Sequence, residues 1–184
     1  MPSPLKPPKR HSGFTLVELL IVVIILAILA AIVIPQFSGA TKDTQEAALD
    51  SNLTALRSAI ELYKAQHDTY PGAVATNGGG TCGGTKGALT VGGTSVAFTE
   101  SMTLYTDRAG NTCNTPGTAY PLGPYIRKAI PLDPIANSNA VVVTSVGTPI
   151  AGGTAGGWAY DTKSGQIIVN STANDSKSTP YSSH

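Results

Sequence analysis

One carboxylate, that of Glu18, lies near the start of the most apolar stretch of this sequence. Residues 19–34 contain no polar side chain, and a helix over residues 14–34 would be about 31 Å long, which is enough to cross a bilayer. A charged side chain at the centre of a membrane costs about 2.5 to 3.5 kcal/mol on insertion scales, and such groups are usually paired. The pattern therefore predicts a cationic partner for Glu18 inside the membrane.

The residues before this stretch predict its orientation. Three basic residues and no acidic residue precede it, namely Lys6, Lys9 and Arg10. The positive-inside rule keeps such a segment in the cytoplasm, so residues 1–13 are expected there and the rest of the chain beyond the membrane. A secretory signal peptide is the alternative, but the alanines before Pro35 lack the Ala-x-Ala spacing of its cleavage site.

The sequence GFTLVE at residues 13–18, followed by the apolar stretch, resembles the processing site of type IV prepilins and of the pseudopilins of type II secretion. In that family a membrane peptidase cuts after the glycine and N-methylates the new terminal phenylalanine, and the mature subunits assemble helically into a filament. The resemblance covers residues 13 to about 65. It implies cleavage after Gly13, methylation of Phe14 and a role for Glu18 in assembly.

The resemblance also supplies a cationic partner for Glu18. Cleavage before Phe14 would expose an ammonium group at the start of the helix, where the helix dipole disfavours a cation and favours an acid. In a filament, Glu18 of an incoming subunit can then pair with the Phe14 ammonium of its neighbour and set the axial register. The simpler alternative is that Glu18 extends to the lipid headgroups near the start of the helix.

The helix is expected to continue beyond the membrane. Pro35 and Gly39 predict a kink or a loosened turn, and the resemblance implies that this segment melts on assembly. Helical periodicity then resumes in an apolar stripe formed by Leu49, Leu53, Leu56, Ile60 and Tyr63. Arg57 and Glu61 are spaced as an i, i+4 ion pair. We expect the stripe to face a core and the helix to end near residues 67–70, where Pro-Gly follows.

Beyond the helix the sequence predicts a small head rich in β-structure. Residues 72–93 are dominated by Gly and Thr, which is typical of a loop. Strands are predicted at residues 95–99, 140–146, 157–160 and 166–170, a helical turn at 100–105 and a hairpin turn at 161–165. The predicted fold class is α+β: a pilin-like fold in which a long N-terminal helix, membrane-spanning in its first half, packs against a small antiparallel sheet.

The predicted domain organisation has five parts. They are a cytoplasmic leader that is removed, at 1–13; the transmembrane and assembly half of the helix, at 14–35; its amphipathic half, at 36–69; a globular β-sheet head, at 70–170; and a polar C-terminal tail, at 171–184. The tail has few apolar residues and is expected to be disordered.

Cys82 and Cys113 are the two cysteines of the chain, and both lie on the predicted exported side of the membrane. Oxidising conditions there favour a disulfide. Closing a loop of this length would contribute roughly 3 to 4 kcal/mol in the chain-entropy model. A redox or metal role is the alternative, but the sequence has no Cys-x-x-Cys motif and no histidine cluster nearby.

No cofactor, metal or nucleic acid is predicted. The net charge is +1 and the basic residues are scattered, which does not favour nucleic-acid binding. Residues 78–83 match G-x-G-x-x-G without a preceding strand or a following helix, so a dinucleotide site is not indicated. Major pseudopilins carry a structural calcium in a late acidic loop, but Asp161 and Asp175 are the only acids here after Asp133, so calcium is not expected.

The predicted function is non-enzymatic: a structural subunit of a type IV pilus-like filament, most closely a pseudopilin for protein secretion. The resemblance implies a single-pass inner-membrane protein with a cytoplasmic N-terminus and a periplasmic head. Its implied partners are a prepilin peptidase, an assembly ATPase, a platform protein and other subunits of a homo-oligomeric or mixed filament. One alternative is a type IV pilus subunit for adhesion, twitching motility or DNA uptake. A more distant one is a membrane-tethered periplasmic binding module or enzyme, which would need neither cleavage nor Glu18.

Overall fold

The chain forms two compact units, Met1–Thr41 and Lys42–His184. The computed structural model describes residues 13–76 and 92–184, and of residues 34–40 it describes the backbone alone. Its helices are α1 at Leu16–His67, α2 at Ser95–Thr103 and a 3₁₀ turn at Tyr181–Ser183. Its strands are β1 at Tyr105–Thr106, β2 at Thr112–Cys113, β3 at Val141–Thr144, β4 at Trp158–Asp161 and β5 at Ile167–Val169. A long apolar helix with small sheets confirms the predicted α+β, pilin-like class.

The first unit is helical from Leu16 onward. The window Leu16–Val33 has a mean hydropathy of 3.3, and none of it is buried against other parts of the described chain. It is long and apolar enough to cross a membrane. The helical backbone continues through Pro35 and Gly39, so neither residue ends the helix, and a kink there stays a prediction.

The second unit is built on the part of α1 that begins at Lys42. The apolar stripe predicted from helical spacing is fully buried there, with each of its five side chains at most 1% exposed: Leu49, Leu53, Leu56, Ile60 and Tyr63. Burying a side chain of this size contributes about 1.5 to 3 kcal/mol. Aromatic residues of the sheet complete the same core, including Trp158 and Tyr160. The helix ends at His67, as expected, and Asp68 adopts a positive φ of 59°.

The larger sheet has the order β3-β4-β5, and its topology corrects the sequence prediction in part. Strands β4 and β5 are antiparallel, joined by the predicted turn at residues 161–165, whereas β3 and β4 are parallel. Because residues 145–157 cross back before β4 begins, β3 and β4 start from the same end of the sheet. A separate antiparallel pair, β1 and β2, was not predicted.

The strand predicted at residues 95–99 is wrong, because these residues form the start of α2. Thr94 caps this helix, and its side chain accepts a hydrogen bond of 3.1 Å from the Ala97 amide. The buried positions of α2 repeat with helical spacing: Ala97, Phe98, Ser101 and Met102. The helical turn predicted at residues 100–105 is the second half of this helix.

The C-terminal segment, residues 171–184, is ordered, so the prediction of disorder is wrong. Tyr181 is buried with only 2% of its surface exposed, and its hydroxyl group donates to Glu46 at 3.0 Å. Ser176 donates to the same carboxylate through its amide and its hydroxyl, at 2.8 and 2.6 Å. One aromatic anchor and an acidic partner on α1 therefore hold a segment whose own composition is polar.

Candidate assembly site

Glu18 takes part in a capping box at the start of α1. Its Oε2 atom accepts hydrogen bonds from the amide of Thr15 at 3.0 Å and from the Thr15 hydroxyl at 2.9 Å. In return, the Glu18 amide donates to Thr15 Oγ1 at 3.2 Å. This reciprocal arrangement satisfies two amides that a helix terminus leaves without partners. The sequence carried its signal, Thr-x-x-Glu before an apolar run, but the prediction considered only the charge of Glu18.

Folding places no steric demand for glycine at position 13. A Cβ atom built on Gly13 would meet no atom within 4 Å, and the residue has no unusual backbone angle in the structure. Phe14, which follows it, is 82% exposed. The predicted processing residues are thus accessible and outside the helix, which begins at Leu16. A requirement for glycine here would have to come from a partner such as a peptidase.

Between Leu16 and Val33 the surface of α1 is apolar on every side apart from Glu18. Its large hydrophobic side chains from Phe14 to Val33 are between 42% and 84% exposed. A helix with no polar face is stable only in lipid or packed among other apolar helices. Glu18 is the one charged group in this surface, so any specific polar contact made there by the described part of the helix must involve it.

The N-terminal segment of the chain is similar to a known sequence motif and to known proteins. The model of the prokaryotic N-terminal methylation motif matches residues 8–34. In its N-terminal segment the chain is similar to type IV prepilins and pseudopilins. The type II secretion system core protein G of Aeromonas hydrophila is 38% identical over 63 residues, which cover 34% of this chain and 44% of that protein. The protein of that name from Vibrio cholerae is 34% identical over 67 residues, covering 36% and 46%. That from Escherichia coli K12 is 32% identical over 62 residues, covering 34% and 43%.

The similarity thus spans less than half the length of these relatives. No solved structure matches the chain. The second unit of this pilin-like chain must therefore be interpreted from its own residues.

The structure describes one of the two cysteines of the disulfide predicted in the head. Cys113 is buried in β2 and is disulfide-bonded. Its predicted partner, Cys82, lies outside the described residues, so the pairing stays a prediction. The Thr115 amide donates to the Cys113 sulfur at 3.3 Å, which fixes the sulfur beside the turn that follows β2.

The predicted ion pair between Arg57 and Glu61 is not among the ion pairs of the described residues. Instead, the Arg57 guanidinium donates to two carbonyl oxygens, that of His184 at 2.6 Å and that of Ile167 at 3.3 Å. Backbone carbonyls held in place by the fold compete well with an exposed carboxylate, because a surface pair contributes little. Arg57 thus joins α1 to strand β5 and to the C-terminal segment.

Asp161 is the late acidic residue with the most contacts. Its carboxylate accepts bonds from the amides of Val146, Gly147 and Ser164 at 2.6, 3.1 and 2.8 Å, and from the Ser164 hydroxyl at 2.7 Å. Burial opposes ionisation, but the bonds from Ser164, Val146 and Gly147 outweigh it and lower the pKa of Asp161 to about 2. Among the described residues no group of three or more candidate ligands could hold a metal ion. That the protein needs no calcium stays a prediction.

His67 makes a structural contact at the end of α1. Its Nε2 atom lies 3.0 Å from both the Tyr125 hydroxyl and the Thr106 hydroxyl, and Nδ1 lies 3.4 Å from the carbonyl oxygen of Arg108. Burial lowers the pKa of His67, so the ring is held neutral. A catalytic triad would have a carboxylate where this ring has a carbonyl. These contacts hold two loops of the head against the end of α1.

Proposed function

We propose that the chain is a structural, non-enzymatic subunit of a type II secretion pseudopilus. The observation that carries this proposal is a single carboxylate in the first turn of a helix whose exposed surface from Leu16 to Val33 is otherwise apolar. The similarity of the N-terminal third to type II secretion core protein G supports secretion over other filament functions.

Cleavage between Gly13 and Phe14 would create the cation that the filament needs. The new ammonium of one subunit pairs with Glu18 of its neighbour where protein and lipid exclude water, and the pair sets the axial register. Before assembly, Thr15 occupies the Glu18 carboxylate. Joining the filament therefore exchanges two local hydrogen bonds for an intersubunit ion pair, which is stronger because both groups are charged.

The topology and partners follow from the same processing. The leader at residues 1–13 lies in the cytoplasm, the apolar helix crosses the inner membrane, and the head lies in the periplasm. A prepilin peptidase cuts and methylates the chain, and an assembly ATPase and a platform protein drive its incorporation into a homo-oligomeric or mixed filament.

The state of the mature N-terminus tests the processing. In cells that contain the peptidase, mass spectrometry should find a chain that begins with N-methylated Phe14. An intact Met1 would instead favour a membrane tether. Loss of secreted proteins on deletion of the gene, with surface pili unchanged, separates a pseudopilin from a pilus subunit.

Two substitutions separate the charge of Glu18 from its role as a helix cap. In Glu18→Gln the capping box can persist, since glutamine serves at this position, but the ion pair is lost. Glu18→Ala removes both. We expect both variants to insert into the membrane and neither to assemble, with Asp43→Asn, a substitution outside the apolar segment, as the control. Normal filaments from Glu18→Gln would refute the registry role. Cleavage after Gly13 would stand or fall separately, on the mass of the mature N-terminus.

A further inference from the structure

The first turns of α1 in the second unit, residues 42–48, have no apolar anchor. None of their apolar side chains is buried, and the buried stripe begins at Leu49, which is fully buried. Earlier on the same helix lie Pro35, which has no amide to donate to the helical ladder, and Gly39, a poor helix former. Because helices in proteins are stabilised mainly by packing of an apolar face, unwinding that begins at these two residues would reach Leu49 unless other contacts stop it.

Three hydrogen bonds from the C-terminal segment end on the carboxylate of Glu46, in the middle of these turns. Its Oε1 atom accepts one from the Tyr181 hydroxyl at 3.0 Å and one from the Ser176 amide at 2.8 Å. Its Oε2 atom accepts one from the Ser176 hydroxyl at 2.6 Å. The Ser176 hydroxyl is the main cause of a lowered pKa at Glu46, so the group is ionised at neutral pH. Hydrogen bonds to an ionised acceptor are stronger than those between neutral groups.

Both donors are fixed in the second unit independently of Glu46. The ring of Tyr181 belongs to the hydrophobic core and is 2% exposed. Ser176 lies in a tight loop, residues 174–180, whose ends are joined by an antiparallel backbone bridge. Within this loop the Asp175 carboxylate accepts hydrogen bonds from two amides, at 2.8 and 2.7 Å. A loop that is already ordered binds its partner at a lower entropic cost, so it can hold the Glu46 carboxylate firmly.

We propose that residues 171–184 act as a strap that stops the unwinding of α1 at Glu46, about one turn before the core begins at Leu49. Displacing residues 46–48 from the helix breaks all three hydrogen bonds to the Glu46 carboxylate. The strap cannot follow the displaced turn, because Tyr181 is held in the core. The rigid end of α1 in this unit is therefore set by a segment 130 residues away in the sequence. The inference does not depend on the proposed function.

Other contacts of the same turns are weaker. Lys42 Nζ lies 3.9 Å from Glu46 Oε1, but this pair lies within the helix and the lysine is half-exposed, so it contributes little. The Gln45 side chain donates to the carbonyl oxygen of Pro134 at 3.2 Å, and both of these groups are neutral. A hydrogen bond between neutral groups contributes less to stability than one to a charged group. Among these contacts, the three bonds to Glu46 therefore decide where unwinding stops.

Hydrogen exchange of the full chain in detergent micelles tests the strap. In an α-helix the amides of residues 50–52 donate to the carbonyls of residues 46–48, so they exchange only when that turn opens. The double variant Ser176→Ala/Tyr181→Phe keeps the aromatic ring in the core but removes two bonds to an ionised acceptor. The opening of these amides should therefore rise at least about tenfold. The amides of residues 60–63, in the core, should stay within about twofold of wild type.

A substitution on α1 tests the same contact from the other side. Glu46→Gln removes the charge but keeps a good helix former, and it should raise the exchange of residues 50–52 as the double variant does. Combined with the double variant it should add little, because all three substitutions act on one contact. Thr179→Ala, at an exposed side chain of the same loop, is the control and should leave exchange unchanged. Unchanged exchange of residues 50–52 in the double variant, an equal rise at residues 60–63, or additive effects would overturn the proposal.

Discussion

Asp161 should be the most costly carboxylate to replace in the head. In Asp161→Asn, one oxygen can still accept the Val146 amide, but an NH₂ group now faces the amides of Gly147 and Ser164. Two amides lose a charged acceptor, and hydrogen bonds to charged groups contribute about 1.5 to 3 kcal/mol each. The free energy of unfolding should therefore fall by about 3 to 6 kcal/mol, a large part of the stability of an ordinary domain.

Trp158 provides the assay for this variant. It is the only tryptophan of the chain, it is fully buried in the same strand as Asp161, and its indole donates to the Pro131 carbonyl at 2.8 Å. Urea unfolding followed by its fluorescence, with the full chain in detergent, reports on the head. The control is Asp43→Asn, which changes an exposed acid on α1 and should alter stability by less than about 0.5 kcal/mol.

The pH dependence gives a second test of the same contact. The folded pKa of Asp161, about 2, lies below the value of 3.8 for a free aspartate. The stabilisation is therefore complete above about pH 4 and is lost as the pH falls toward 2. The stability gap between wild type and Asp161→Asn should narrow over that interval. A variant within about 1 kcal/mol of wild type at pH 7, or a gap unchanged between pH 5 and pH 2.5, would refute the reasoning.

Three further results are expected. Leu56→Ala should lower the free energy of unfolding by about 2 to 5 kcal/mol, because Leu56 is buried in the core. Leu62→Ala, at a side chain 51% exposed on the same helix, should lower it by about 0.5 kcal/mol or less. Equal losses for the two variants in urea unfolding would contradict the assignment of Leu56 to the core. Burial lowers the pKa of His67, so the unfolded chain binds a proton at this ring more readily than the folded chain does. The free energy of unfolding should therefore fall as the pH drops below about 6.5. In thermal melts across pH 5 to 8, His67→Gln should remove this dependence. Added calcium or a chelator should leave the melting temperature unchanged, and a shift of several degrees would show a site that the described residues do not reveal.

Features specified by local sequence were predictable. The stripe that includes Leu53 and Ile60 repeats with the helical period, and all of it is buried. The turn before β5 required a residue at positive φ, and Gly165 has a φ of +74°. A Cβ at that position would also lie 2.2 Å from the Tyr70 ring, so glycine is needed there for a second reason that only the packing reveals.

Features that depend on distant partners were not predictable in the same way. Residues 95–99 contain the β-branched and aromatic side chains typical of a strand, but the Thr94 cap and burial on one face make them helical. The parallel pairing of β3 with β4 depends on where residues 145–157 cross, which no local pattern gives. The C-terminal segment is polar in composition, and its order comes from Glu46, Asp50 and Arg57, more than a hundred residues away.

The contacts of Glu18 change the energetic argument for assembly. The insertion cost of about 2.5 to 3.5 kcal/mol applies to an acid with no partner, whereas this carboxylate already accepts two hydrogen bonds from Thr15. In the isolated subunit Glu18 is bonded to Thr15, and in the filament it would be paired with the ammonium group of a neighbour. The free energy gained on assembly is the difference between these two states, so it must be smaller than the insertion cost of an unpaired acid. In the proposed filament, the apolar surface of α1 between Leu16 and Val33 would then supply most of the cohesion. On this view Glu18 selects the register of a contact that the surrounding side chains make stable.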